Sequence, residues 1–282
     1  MSGSVRGVLM SALPRLRHEP TAKRVRAVLD GVTVVDTSRA LLVWEPRRVV
    51  ASWAVPEQDL TGTLDAAARS GLADGDVGYA MPDLTQRPVL DPSIPFAAHT
   101  TEGASLDVGI GGRVLSGAAF RPDDPDLAGY VVLDFAAFDE WWEEDTRNIA
   151  HPRDPFHRID VLPSSRTVRL EVDGLELATS SRPTLLFETM LPTRYYLPRE
   201  DVVVPLQPSA TTSTCAYKGH ASYYSVSLAD VDLPDIAWTY EHPLPEAAGV
   251  TGLIAFFDER IDVVLDGQRR ERPVTPWSRG PR

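Results

Sequence analysis

A chain of 282 residues, 43% hydrophobic and 24% charged, has a globular composition and can bury one large core or two ordinary ones without disulfides or a structural metal. Its net charge of −12 and pI near 4.9 oppose a phosphate backbone, and no local cluster of Lys and Arg offsets them, so nucleic acid is excluded as an expected partner. No apolar run is long enough to cross a bilayer, which argues against a membrane partner. The single cysteine allows no intrachain disulfide, so a reducing cytoplasm is the expected compartment.

In chain order, residues 1–22 form an N-terminal extension. Arg6, Pro14, Arg15 and Arg17 interrupt its apolar positions before a signal-peptide core can form. Residues 23–145 then read as one copy of a repeat and residues 166–275 as the other. "VRAVLDGVTVVDTSRALLVWE" (25–45) aligns without gaps to "VRLEVDGLELATSSRPTLLFE" (168–188), with eight of 21 positions identical, Glu45 pairing with Glu188. Each stretch predicts strand, Asp-Gly turn, strand, polar turn, strand, because Asp-Gly between alternating apolar residues is a hairpin signal. "SWAVPEQDL" and "RYYLPREDV" extend the parallel, with Pro56 over Pro198 and Asp59 over Asp201.

Later in the first copy, "LDAAARSG" from Leu64 predicts a short helix, as does "EAAG" from Glu246 in the second. "HTTEGASLDV" (99–108) stands where "CAYKGHASYYSV" (215–226) stands in the second copy, and "AGYVVLDFAAFDEWWEE" (128–144) parallels "TGLIAFFDERIDVVLDG" (251–267). Residues 146–165, rich in Pro, His and Arg, read as a connecting segment, and 276–282 as a tail. The expected class is mainly β: two related small all-β domains in tandem, tent-like or barrel-like antiparallel sheets with few short helices.

Chemistry concentrates in the second copy. Cys215 is the only thiol, and Lys218 is one of two lysines beside 26 arginines. A lysine folded over a cysteine in a turn closed by Gly219 would favour a thiolate, and a desolvated lysine can serve as a base or Schiff-base former. The competing reading makes Cys215 a small apolar residue at a strand start. Alternation puts Ala221 and Tyr223 on one strand face and Ser222 and Tyr224 on the other, pairs Arg194 with Tyr196, and pairs Trp238 with Tyr240. Cys215, Lys218 and Tyr240 are the catalytic candidates, and Arg194, Tyr196, Tyr224, Trp238 and Glu188 the ligand-binding ones. His151, Asp154, His157 and Asp160 lie close together in sequence, but two histidines six apart and broken by prolines match no common metal spacing; Arg153 and Arg158 there are expected to pair with carboxylates. No motif specifies a cofactor.

The stretches "VDGLELATSSRPTLLFETMLPTRYYLPREDV", "CAYKGHASYYSV", "AWTYEHPLPEA" and "GLIAFFDERIDVVLDGQRRERP" span most of residues 166–273. They resemble the domain of unknown function 427 family, which carries a nucleotidyltransferase-like label, in its tandem form with a diverged copy first. The resemblance implies a small all-β domain in which Cys215, Lys218, Gly219, Tyr224, Trp238 and Tyr240 recur, and no settled reaction. Ala216 departs from it, standing where the family commonly carries proline. In the first copy His99 and Glu102 replace the cysteine and lysine, so an altered or lost site is expected there. Two functions compete: a small-molecule enzyme using Cys215 or Lys218, with Tyr240 or Tyr196 as acid–base partner and Arg194 on an anionic group, and a non-catalytic small-ligand-binding or scaffold module. Nucleotidyl transfer ranks behind both, since no carboxylates are grouped for a metal.

Overall fold

The Asp-Gly pairs turn the chain where the sequence puts them. Asp30 and Gly31 have φ of 50° and 75°, and Asp173 and Gly174 of 48° and 82°, positive at both central positions as a two-residue hairpin following strand twist demands. The computed structural model describes residues 2, 4–67, 75, 77–82, 84–228 and 231–279 and divides into two units, Met1–Asp154 and Pro155–Arg282.

In the first unit a short exposed helix, α1 (Val5–Met10), precedes β1 (Arg17–Pro20), β2 (Val25–Leu29), β3 (Val32–Thr37), β4 (Leu41–Trp44), β5 (Ser52–Pro56) and β6 (Thr63–Ala66). There follow β7 (Gly103–Ile110), β8 (Arg113–Pro122), β9 (Tyr130–Leu133), β10 (Glu140–Glu143) and β11 (Thr146–Asn148). The second unit holds β12 (Ile159–Pro163), β13 (Val168–Val172), β14 (Leu175–Ser180), β15 (Thr184–Glu188), β16 (Arg194–Leu197) and β17 (Gln207–Cys215). It continues with β18 (Gly219–Leu228), β19 (Val231–Thr239), β20 (Ile254–Phe256), β21 (Asp262–Leu265) and β22 (Gln268–Arg269).

The two units share one topology. The seven-stranded sheets run β1-β4-β5-β9-β8-β7-β6 and β12-β15-β16-β20-β19-β18-β17, and the four-stranded ones β11-β10-β2-β3 and β22-β21-β13-β14. A register shift after Ala27 in β2 recurs after Leu170 in β13, the residue aligned with it in sequence. The repeat is therefore structural down to its irregularities.

Both sheets of each unit are open, with β1 and β6, or β12 and β17, at the edges of the larger one, so no barrel closes. Val168, Leu170 and Val172 point inward on alternate positions of β13 and join Leu186, Ile254 and Phe256 of the larger sheet in one buried cluster. Two expectations change. Leu64 lies in β6 rather than in a helix, because Thr63 to Ala66 pair with β7; the remainder of that stretch, from residue 68, falls outside the described residues. The segment 146–165 contributes β11 and β12 as sheet strands, while residues 245–250 form a 3-10 helix.

Candidate functional site

Register gathers most of the candidate residues on one face of the second unit's larger sheet. Directly opposed residues share a face, and Arg194 faces Leu186, Tyr196 faces Thr184 and Ala255, Ala255 faces Trp238, and Trp238 faces Tyr223. Farther out, Ser213 faces Ala221 and Cys215 faces Gly219. Glu188, two residues beyond Leu186, completes the row. Tyr224 is the exception. It points to the opposite face, opposed to Ala237, with the Arg199 guanidinium 4.8 Å from its ring.

The hairpin between β17 and β18 has a tip that is tucked in rather than exposed. Ala216, Tyr217 and Lys218 are all buried, unlike most loop tips. The Tyr217 ring stacks on His157 at 4.4 Å, and the Leu244 amide donates to the Lys218 carbonyl at 3.1 Å. Gly219 closes the tip at φ 97°, a conformation that glycine adopts without strain.

The Lys218 ammonium forms a buried ion pair with Glu188, whose other oxygen lies 3.1 Å from His157 Nε2. Burial by itself would raise the Glu188 carboxyl, but the Lys218 charge and the hydrogen bonds from His157 and Lys218 outweigh it and hold it down to about 2. The same pairing pushes Lys218 up against its own desolvation, opposite to what a neutral amine base or Schiff-base former needs. Cys215, half-buried, is one of the groups whose charge acts on Lys218.

Beside this pair lies a second. Arg194 donates through Nη1 and Nη2 to the two oxygens of Glu259 at 2.8 and 2.6 Å, and Thr275 Oγ1 donates to Glu259 at 2.6 Å. Burial disfavours both charges, yet their pairing raises Arg194 and lowers Glu259. Trp238 Nε1 donates to the Tyr196 hydroxyl at 3.0 Å. Burial is also the main reason that Tyr196 is raised, to about 12, and that Tyr240 is raised further, with Tyr196, Cys215, Tyr223 and Glu188 adding to it. Tyr240 is 4% exposed, and its hydroxyl makes no hydrogen bond among the described residues.

Asp258 is held near neutrality: burial pushes its carboxyl up to about 7, Arg194 pulls it back, and Glu259 adds to the rise. A carboxyl raised above its unfolded value of 3.8 contributes stability that is complete below that value and is lost as pH climbs to about 7. Asp258→Asn is therefore expected to match the wild type near pH 4 and to exceed it by about 4 kcal/mol at pH 8. Urea unfolding at the two pH values measures this, and a pH-independent difference would refute the assignment.

Sequence reasoning missed His157 as a partner of Glu188, and Glu259, Thr275 and Trp277 around Arg194. Arg158 pairs with Asp160, as expected of a surface arginine. Among the described residues no three His, Cys, Asp or Glu side chains group as a metal site, and no helix is long and apolar enough to cross a membrane. In the first unit, Glu45 is buried like Glu188, but its partners are His99 Nδ1 at 3.0 Å and the Thr100 amide at 2.6 Å. The His99 ring stacks on Phe120 at 3.7 Å, and Glu102 is exposed. Ser52, which opens β5, stands where β16 opens with Arg194.

Residues 160–267 match the model of a family described as a domain of unknown function (DUF427). The second unit carries a DUF427 domain. The match runs from β12 to the turn after β21 and includes Glu188, Arg194, Cys215, Lys218, Trp238, Tyr240 and Glu259. It ends before Thr275 and Trp277, and the first unit lies outside it although it repeats the strand order of the DUF427 domain. A comparison with curated proteins gave no match.

Proposed function

We propose that the DUF427 domain is a small-ligand-binding module, with its site on the sheet face that carries Cys215, Lys218, Tyr240 and Tyr196, and that it works without catalysis. One observation carries this reading: the charges a catalyst would use are already committed to protein partners, Lys218 to Glu188 and Arg194 to Glu259. Tyr196, Tyr240 and Lys218 are raised and Glu188 is lowered, so none of these four is poised to exchange a proton near neutral pH. The unpartnered Tyr240 hydroxyl and the half-buried Cys215 thiol are what a ligand would meet. Gly219 and Ala221, both small, stand beside Cys215 on that face of β18, with Tyr223 next along the strand.

A second reading, a small-molecule enzyme with Cys215 as nucleophile, is favoured by the nearness of the Lys218 ammonium to the thiol. The two readings part in a thermal-shift screen of the full chain against small molecules. A binder is expected to stabilise the chain by mass action, to protect Cys215 from iodoacetamide, to be recovered unchanged, and to bind about tenfold more weakly to Tyr240→Phe. Turnover that disappears in Cys215→Ser would establish the enzyme instead. Compounds that stabilise the chain without ever protecting Cys215 would overturn both.

A further inference from the structure

The residues after the family match do something the rest of the sheet does not. Residues 273–279 pair with no strand, yet Thr275 is 6% exposed and reaches Glu259 at 2.6 Å, while its amide donates to Ser278 Oγ at 3.0 Å. The 3-10 helix Pro276–Arg279 then sets the Trp277 ring 5.6 Å from the Arg194 guanidinium and 6.3 Å from Phe257, inclined to it by 30°. Arg194 thus sits among three rings, the other two being Trp238 at 5.6 Å and Phe257 at 5.9 Å.

The three rings differ in how they are held. Trp238 and Phe257 are 7% and 8% exposed and belong to the sheet, whereas Trp277 is 38% exposed and comes from the tail. Beneath Trp277 the bidentate bond to Glu259 fixes the plane of the guanidinium, and Tyr223 extends the platform by stacking on Phe257 at 6.2 Å. A planar, pre-oriented guanidinium beside aromatic rings is a surface on which another flat ring stacks well. A strap anchored by one buried hydroxyl and one ring, with Val274 49% exposed, belongs to the low-stability end of a fold, where local opening occurs.

We infer that residues 273–279 are a displaceable strap over a binding site for a planar aromatic ligand, with Trp277 occupying the place of the ligand's ring. The inference rests on the binding reading of this same sheet face and adds to it the ligand class and the element that controls access.

Indole is the probe, titrated calorimetrically into the full chain. Trp277→Ala, which vacates the platform, is expected to bind indole about tenfold more tightly than the wild type, and Thr275→Val, which loosens the strap without removing the ring, to show a smaller gain. Adding Arg194→Lys to Trp277→Ala is expected to abolish the gain, since an ammonium has no flat face. Circular dichroism and a cooperative unfolding transition establish that each variant is folded, and Thr275→Val carries the test if Trp277→Ala is not. Equal, measurable binding by wild type and both variants would overturn the strap while leaving a ligand site. No binding by any of them would overturn the aromatic class, and the thermal-shift screen would still decide the binding reading.

Discussion

Lys218→Met is expected to destabilise the second unit by about 3–5 kcal/mol at neutral pH, because it leaves the buried Glu188 carboxylate without its cation. The pH dependence identifies the cause. Glu188 is depressed from 4.5 to about 2 in the folded chain, so the stability it contributes is present above pH 4.5 and is lost as pH falls toward 2. In the variant the carboxyl has no such depression, and the deficit is expected to shrink across that window. Replacing Glu188 as well, with Lys218→Met and Glu188→Gln together, is expected to recover part of the loss, the sign of coupling between neighbours. Urea unfolding of the four chains between pH 3 and pH 7 measures it. A deficit under about 1 kcal/mol, as for an exposed pair, or one equal at both ends of the range, would show that the pair is not structural.

Arg194→Met is the second large effect, also expected to cost about 3–5 kcal/mol. The guanidinium is 7% exposed as a residue and its partner Glu259 6%, so its removal strands a carboxylate that keeps only Thr275 as a side-chain donor. The contacts with Trp238, Phe257 and Trp277 go with it. Glu259→Met alone is expected to cost less, since Asp258, already close enough for its charge to act on Arg194, can ionise in its place. The double variant, with both charges replaced by apolar chains, is expected to recover most of the stability of the wild type, as buried pairs exchanged for packed hydrophobes often do. A double-mutant cycle with coupling below about 1 kcal/mol would contradict this account.

Local chemistry made the scaffold legible. Asp30-Gly31 and Asp173-Gly174 announce their hairpins, and strand alternation put Arg194 with Tyr196, as the registers of β16 with β15 and β20 have it. The gapless match of 25–45 to 168–188 exposed the repeat, because β2 to β4 and β13 to β15 keep their loop lengths. What stayed hidden lies far apart in sequence: Lys218 finds Glu188 30 residues back, and Arg194 finds Glu259 65 residues on. Neither spacing belongs to any local period. His157 and β12 were read as connector because three prolines and a run of polar residues look like a loop, whereas β12 is an edge strand, a position that tolerates proline such as Pro163. Tyr224 was grouped with the site by family resemblance alone; alternation had already separated it from Tyr223.

The pairing of β13 with β21 sets Val168 against Leu265, and β2 meets β10 in the same way, Val25 against Glu143. Each unit therefore has an early hairpin whose neighbour arrives close to the end of that unit. A ribosome adding about 5–20 residues per second leaves that hairpin waiting several seconds with one edge unsatisfied. Contacts so distant along the chain slow folding and lengthen the exposure of strand edges. The same arrangement brings an early and a late strand of each unit side by side in its four-stranded sheet, so that sheet is complete only when the unit's last strands have been made.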